Sequence, residues 1–160
     1  MKANTGEAIR LRRDLKAPTK RPNWPKAVVV RTLQPPDATS IHALLNLGAA
    51  EYGGEATSFD DWWASLSTNP EFDPALCFLA VDEDQKILGV AQCWTSAYLK
   101  DLAVHPEARR HGIGENLLWH VFQVFRRRGA PHVDLKVVAN NLTARRLYNR
   151  VGMVAVAFDG

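Results

Sequence analysis

The run Arg109-Arg110-His111-Gly112-Ile113-Gly114 holds the residues whose types and spacing point most directly to chemistry. An apolar, β-prone stretch, Tyr98 to Val104, precedes it, and residues 112 to 128 follow with helical periodicity. A strand that ends in a basic, glycine-containing turn and opens a helix is an anion site built from backbone. The first amides of a helix lack internal partners and point outward, and the helix dipole favours negative charge there. Two glycines let the main chain approach a pyrophosphate without Cβ contact. The expected ligand therefore carries phosphates.

Three phosphate-loop patterns compete for this stretch, beside an ordinary glycine turn with surface arginines. A P-loop needs Gly, four residues, then Gly-Lys-Ser/Thr, and no such run exists. A dinucleotide fingerprint needs a third glycine where Leu117 stands, and Asp134, at about the right distance for its acid, falls inside a strand rather than at its end. Arg/Gln-x-x-Gly-x-Gly/Ala at a helix start is filled by Arg109, Gly112 and Gly114. A second motif follows a β-rich run, residues 132 to 139. Residues 141 to 153 read as a short helix with Asn141 as N-cap and Gly152 just past its end. Ala144, Leu147, Tyr148 and Val151 recur on one face.

These two motifs together resemble the GNAT superfamily of N-acetyltransferases: the first its pyrophosphate loop, the second its N-x-x-A-x-x-L-Y-x-x-x-G-[FM] signature. The resemblance covers residues 98 to 153, about a third of the chain. It implies acetyl-CoA as co-substrate, no metal, and direct attack of an amine on the thioester in a ternary complex. The backbone of Leu102, Ala103 and Val104 would hold the pantetheine arm as an added strand would be held. The amides of Arg110, His111, Gly112, Ile113 and Gly114, with the Arg109 side chain, would take the pyrophosphate. Asn141 and Ala144 would contact or position the pantetheine region. Tyr148 would lie near the sulfur and protonate the departing thiolate.

The base is Asp101 on this reading, with His105 as a second candidate. Tyr98-Leu99-Lys100-Asp101-Leu102 resembles the Y-L-E-D-[LF] run of polyamine and thialysine acetyltransferases, but Lys100 replaces the first acid. Residues 135 to 153 resemble the matching run of ribosomal-protein N-terminal acetyltransferases, which leaves a peptide acceptor open. Glu51 and Glu55, with Asp60 and Asp61, surround the Gly53-Gly54 turn and form an acidic rim suited to a cationic amine, with Asp101 also contacting the acceptor. A solvated, helix-capping acid cluster would look the same. Of the adjacent Trp62 and Trp63, one is expected in the core and one on the pocket wall.

The elements that must position these residues follow from periodicity. Residues 27 to 34 form a strand, then come helices to about Ala50 and from Phe59 to Ser67, the second capped by Ser58. Residues 75 to 81 and 87 to 94 flank Asp82-Glu83-Asp84-Gln85 as a hairpin. In the helix after the loop, Ile113, Leu117, Val121 and Phe125 line one face, with Leu118 and Phe122 beside them. A last strand runs from Met153 to Phe158, where the resemblance implies two closing strands. The fold class is α/β, a GNAT-like acyl-CoA acyltransferase fold: a six- to seven-stranded mixed sheet flanked by about four helices.

A chain of 160 residues with 46% apolar content is expected to form one domain, residues 27–160. No apolar run approaches the length of a membrane span, and the N-terminus lacks the apolar core of a secretory signal. Cys77 and Cys93 are expected as buried thiols in a reducing compartment, hence a cytoplasmic protein. The net charge of +3 is uneven: residues 1–26 carry eight Lys/Arg against Glu7 and Asp14, a net +6, and the remainder has 12 cations against 15 acids. Residues 1–26 thus read as a basic, flexible arm. With no aromatic interleaving, no nucleic-acid partner is expected from it. The expected partner is a small-molecule or peptide amine, with no membrane and with a homodimer allowed. The alternative is a non-catalytic acyl-CoA-binding sensor or complex subunit of the same fold.

Overall fold

The computed structural model describes residues 7–51 and 54–157. Its strands are β1 (Ala8–Asp14), β2 (Val29–Thr32), β3 (Phe72–Val81), β4 (Ile87–Trp94), β5 (Tyr98–Val104), β6 (His132–Val138) and β7 (Val154–Ala155). Its helices are α1 (Ala38–Glu51), α2 (Phe59–Ser67), α3 (Ile113–Arg127) and α4 (Leu142–Arg150). The seven strands make one sheet in the order β2-β3-β4-β5-β6-β1-β7. All neighbours are antiparallel except β5 and β6. No helix among the described residues is long and apolar enough to cross a membrane.

Two cores sandwich the sheet. On one face α3 buries Leu117, Leu118, Val121 and Phe122 completely, because apolar side chains recur every three to four residues along it. Each such side chain contributes roughly 1.5–3 kcal/mol relative to exposure. Leu135, Tyr148 and Val151 join that core. On the other face α1 buries Ile41 and Leu44 against Leu79 and Val90, with Trp62 and Trp63 of α2 packed beside them. Leu47 of α1 points out to solvent. Ser58 caps α2 as expected, its hydroxyl accepting from the Asp61 amide at 3.2 Å.

β5 and β6 part almost as soon as they meet. Their register holds one pair, Tyr98 opposite Asp134, sealed by the Asp134 amide donating to the Ala97 carbonyl at 3.1 Å. Beyond it the edge of β5 that faces β6 has no strand partner among the described residues. A bulge where β4 passes from Gln92 to Cys93 leaves Lys100 without an opposite residue.

The N-terminal segment departs from the flexible arm expected over residues 1–26. Residues 8–14 are β1, paired along all seven positions with β6 and lying between β6 and β7. Ile9 and Leu11 enter the α3-side core. Arg13 is buried on the same face, where its guanidinium donates to the carbonyls of Val151 at 2.8 Å, Pro18 at 2.7 Å and Asp14. Residues 15–24 then strap across α3. The Asn116 side chain exchanges two 2.9 Å hydrogen bonds with the Asn23 backbone, and Gln123 donates to the Lys20 carbonyl. The buried cation is tolerable because carbonyl oxygens surround it. After α4 the described chain contributes only the two-residue β7. Residues 1–6 of the expected arm and Phe158, the end of the expected last strand, lie outside the described residues.

Candidate functional site

A turn over Pro106–Ala108 follows β5, with His105 as its cap: His105 Nδ1 accepts from the Glu107 amide at 3.2 Å. That hydrogen bond gives His105 a structural role. Arg110 and Gly112 then both adopt left-handed backbone, with φ of +68° and +75°, and α3 begins at Ile113. A φ of +75° favours glycine at position 112. Gly114 is closely fitted for a different reason: a Cβ there would lie 3.3 Å from a Leu147 side-chain carbon and 3.4 Å from a Val104 one, where α3, α4 and the end of β5 converge. Arg109, Arg110, His111 and Gly112 are exposed, whereas Ile113 and Gly114 are buried. The loop is therefore a solvent-facing helix N-terminus with two arginines, a geometry that suits an anion.

Glu51, expected on the acceptor rim, pairs with this loop. Both its oxygens accept from Arg109, from Nη1 at 2.8 Å and from Nη2. The Arg109 hydrogen bonds hold the Glu51 carboxyl below its usual range. Glu55 lies exposed between α1 and α2. Tyr52 and Gly53, in the turn around which that rim was expected, lie outside the described residues.

Leu102, Ala103 and Val104 sit on the unpaired edge of β5. Leu102 and Val104 send side chains into the α3-side core and Ala103 toward α1, so what this edge offers a ligand is backbone. An extended, amide-bearing ligand fits such an edge as an added strand does. On the far wall Asn141 caps α4, its Oδ1 accepting from the Ala144 amide at 3.1 Å. That bond fixes the helix that carries Tyr148, whose side chain is 9% exposed and otherwise packed in the α3-side core beside half-buried Ala144.

Asp101 is half-buried. By strand alternation it shares the α1-side face with Ala103. Lys100 Nζ donates to Asp101 Oδ2 at 2.9 Å and lies 6.0 Å from the centre of the Trp94 ring. Oδ1 has no hydrogen-bond partner among the described residues. Trp62 and Trp63 both pack in the α1-side core, in a cluster with His42, Phe59 and Phe72. Burial pushes the Cys77 thiol up to about 12 and the Cys93 thiol well above its ordinary value, so neither is a thiolate near neutral pH.

Sequence reasoning missed the closed end of the fork between β5 and β6. Asp134, 2% exposed, accepts from Arg12 at 2.8 and 2.9 Å and from Arg10 at 2.7 Å. Burial raises the Asp134 pKa, but these hydrogen bonds outweigh burial and hold it below the usual carboxylate range. His132 Nδ1 lies 3.2 Å from Asp134 Oδ1 without the alignment of a hydrogen bond. A cavity of about 390 Å³ opens here, lined by Arg10, Glu71, Trp94, Tyr98 and Lys136 among others. The signal available was the alternation of Ile9 and Leu11 with Arg10 and Arg12, which is strand periodicity.

Known proteins share this arrangement. The model of the acetyltransferase (GNAT) family matches residues 38–153. A mycothiol acetyltransferase of Salinispora arenicola is 32% identical over 89% of this chain and 50% of its own length. A Bacillus subtilis protein named for [ribosomal protein bS18]-alanine N-acetyltransferase activity is 28% identical over 64% of this chain and 71% of its own. The crystal structure of a GCN5-related N-acetyltransferase from Sphaerobacter thermophilus superposes with a TM-score of 0.79 at 28% identity, covering 93% of this chain and 48% of that one. The chain thus spans about half the length of that mycothiol acetyltransferase and of that structure. With the family model covering most of its length and a seven-stranded sheet forked between β5 and β6, the chain belongs to the acetyltransferase (GNAT) family.

Proposed function

We propose that the protein transfers an acetyl group from acetyl-CoA to a primary amine, of a small molecule or of a peptide, by direct attack within a ternary complex. The observation that carries this reading is the fork itself: an unpaired β5 edge leading to a basic helix N-terminus at one end and to Asp101 and a polar cavity at the other. Bound acetyl-CoA supplies an activated thioester carbonyl and a thiolate leaving group. The backbone of Leu102, Ala103 and Val104 pairs with its extended arm. The amides of Arg110 to Gly114 and the Arg109 guanidinium receive its pyrophosphate, and Arg109 exchanges Glu51 for phosphate when it does so.

Asp101 Oδ1 accepts the proton of the attacking amine, while Lys100 holds the other oxygen. Tyr148 donates its hydroxyl proton to the departing sulfur. The raised thiol pKa of Cys77 and Cys93 favours direct attack over an acyl-cysteine route. The relatives' names, a mycothiol acetyltransferase and a ribosomal-protein alanine N-acetyltransferase, keep both a small-molecule and a protein acceptor in view.

The test is CoA-thiol release from acetyl-CoA against polyamines, lysine analogues, aminoglycosides, aryl amines and peptides with free N-termini, run beside Tyr148→Phe. Turnover with one class, and a fall in kcat of about 10²-fold or more in the variant, is expected, since a positioned acid contributes roughly 10²–10⁴. Phenylalanine keeps the ring packed, so a variant within about threefold of the parent removes Tyr148 from the mechanism. No turnover with any amine, and no rise in Tm with acetyl-CoA, removes the acetyl-transfer reading.

A further inference from the structure

We propose that the cavity at the closed end of the fork receives an anionic group, a carboxylate or a phosphate, carried by the acceptor beside its amine. The inference rests on the acetyl-transfer reading and names the acceptor class for it. Four observations support it.

The acids of the cavity are already engaged. Asp134 lies beneath it with both oxygens taken by Arg12 and Arg10, and Glu71 Oε1 accepts from the Ser96 amide at 3.2 Å. Arg10, by contrast, uses only Nε on Asp134, and its two Nη groups have no hydrogen-bond partner among the described residues. Its Cζ lies over the Tyr98 ring, 5.6 Å from the centre, so an aromatic face as well as Asp134 holds the guanidinium in place. A guanidinium held by a buried carboxylate and an aromatic face, and lining a cavity, is organised for the paired oxygens of a carboxylate or phosphate.

Charge placement agrees. Arg10 and Lys136 are direct partners across the β1–β6 pair, on the same face. Like charges in that relation cost stability. With Arg12, they give the cavity and its floor three cations against the two acids Glu71 and Asp134. An anion bound beside Arg10 and Lys136 adds negative charge where these two cations face each other across the strands.

Position agrees as well. The cavity is lined by Tyr98 and Asp134, the one pair that closes the fork. Asp101 lies three residues further along β5, on the α1-side face. At about 3.3 Å per residue this separates the anion subsite from the attacking amine by on the order of 7–10 Å.

The experiment compares 6-aminohexanoate, 6-aminohexyl phosphate and the neutral 6-aminohexanamide as acceptors with saturating acetyl-CoA. The charged members are expected to exceed the amide in kcat/KM by about tenfold or more, chiefly through KM. The better of the two identifies carboxylate or phosphate as the natural group. Arg10→Gln is expected to erase most of that preference. Lys136→Glu is expected to do the same without touching the Arg10–Asp134 contact, since the new acid pairs with Arg10 across the strands; it keeps the test valid should Arg10→Gln lose Tm. Equal kcat/KM for all three acceptors, or a preference that survives Lys136→Glu, overturns the anion subsite and leaves acetyl transfer standing. Failure of every amine, these three and the wider set, with no rise in Tm on adding acetyl-CoA, removes acetyl transfer and the inference with it.

Discussion

Asp134 is the residue on which the strand pairing and the site both depend. It is buried to 2%, yet remains below the usual carboxylate range because Arg12 and Arg10 outweigh the cost of burial. Folding therefore favours its charged form. Its contribution is present above the unfolded pKa of about 4 and is lost as pH falls below that value toward the folded one. Asp134→Asn keeps the shape and removes the charge, leaving two guanidinium groups without their anion. An unfolding free energy lower by roughly 2 kcal/mol or more at pH 7 is expected. The difference from the parent should shrink steadily below pH 4. Denaturant titrations at pH 7 and pH 3 measure it, and an offset of equal size at both would mean that the carboxylate charge is not what binds β1 to β6.

At the scale of elements, the turn into α3 shows how a local rule serves a distant ligand. Gly112 sits at φ +75°, where a β-branched residue is strained by about 1–3 kcal/mol. Gly112→Val is expected to move the loop amides and raise the Kd for acetyl-CoA at least tenfold, read by calorimetry; an unchanged Kd would remove the loop from the binding site.

This turn was legible in the sequence, as were β4, β5, β6 and α2, whose bounds follow from periodicity and adjacent breakers. β1 was not, for a physical reason. Its alternation is broken by Arg13, which occupies a core position and is paid for by carbonyls of Val151 and Pro18. Arg10 and Arg12 pair with Asp134, more than 120 residues away. A local reading sees a run of cations and infers solvent. The same non-locality hid the closed end of the fork. The pairing of Glu51 with Arg109 was hidden likewise, since the two are 58 residues apart.

For the molecule as a whole, β1 joins the two ends of the described chain. It pairs with β6 along seven residues and with β7 at Leu11 and Arg12, so the sheet beyond the fork exists only with the N-terminal segment in place. The strap over α3 anchors the same segment to the opposite layer through Asn23 and Asn116. A flexible arm would exchange its amide hydrogens at the rate of coil, and its removal would leave Tm untouched. A strand locked between two others opens only with the sheet. Hydrogen exchange should therefore protect the amides of Leu11 to Arg13 as strongly as those of Leu135 to Val137. Removing residues 1–14 should cost the cooperative transition outright, because it bares the edge of β6 and takes Ile9, Leu11 and Arg13 from the α3-side core. It also takes Arg10 and Arg12 from the face where the amine would dock, so stability and acceptor recognition should fail together. Coil-like exchange in β1, or a truncated chain that unfolds at the parent Tm, would separate the two and leave the sheet ending at β6.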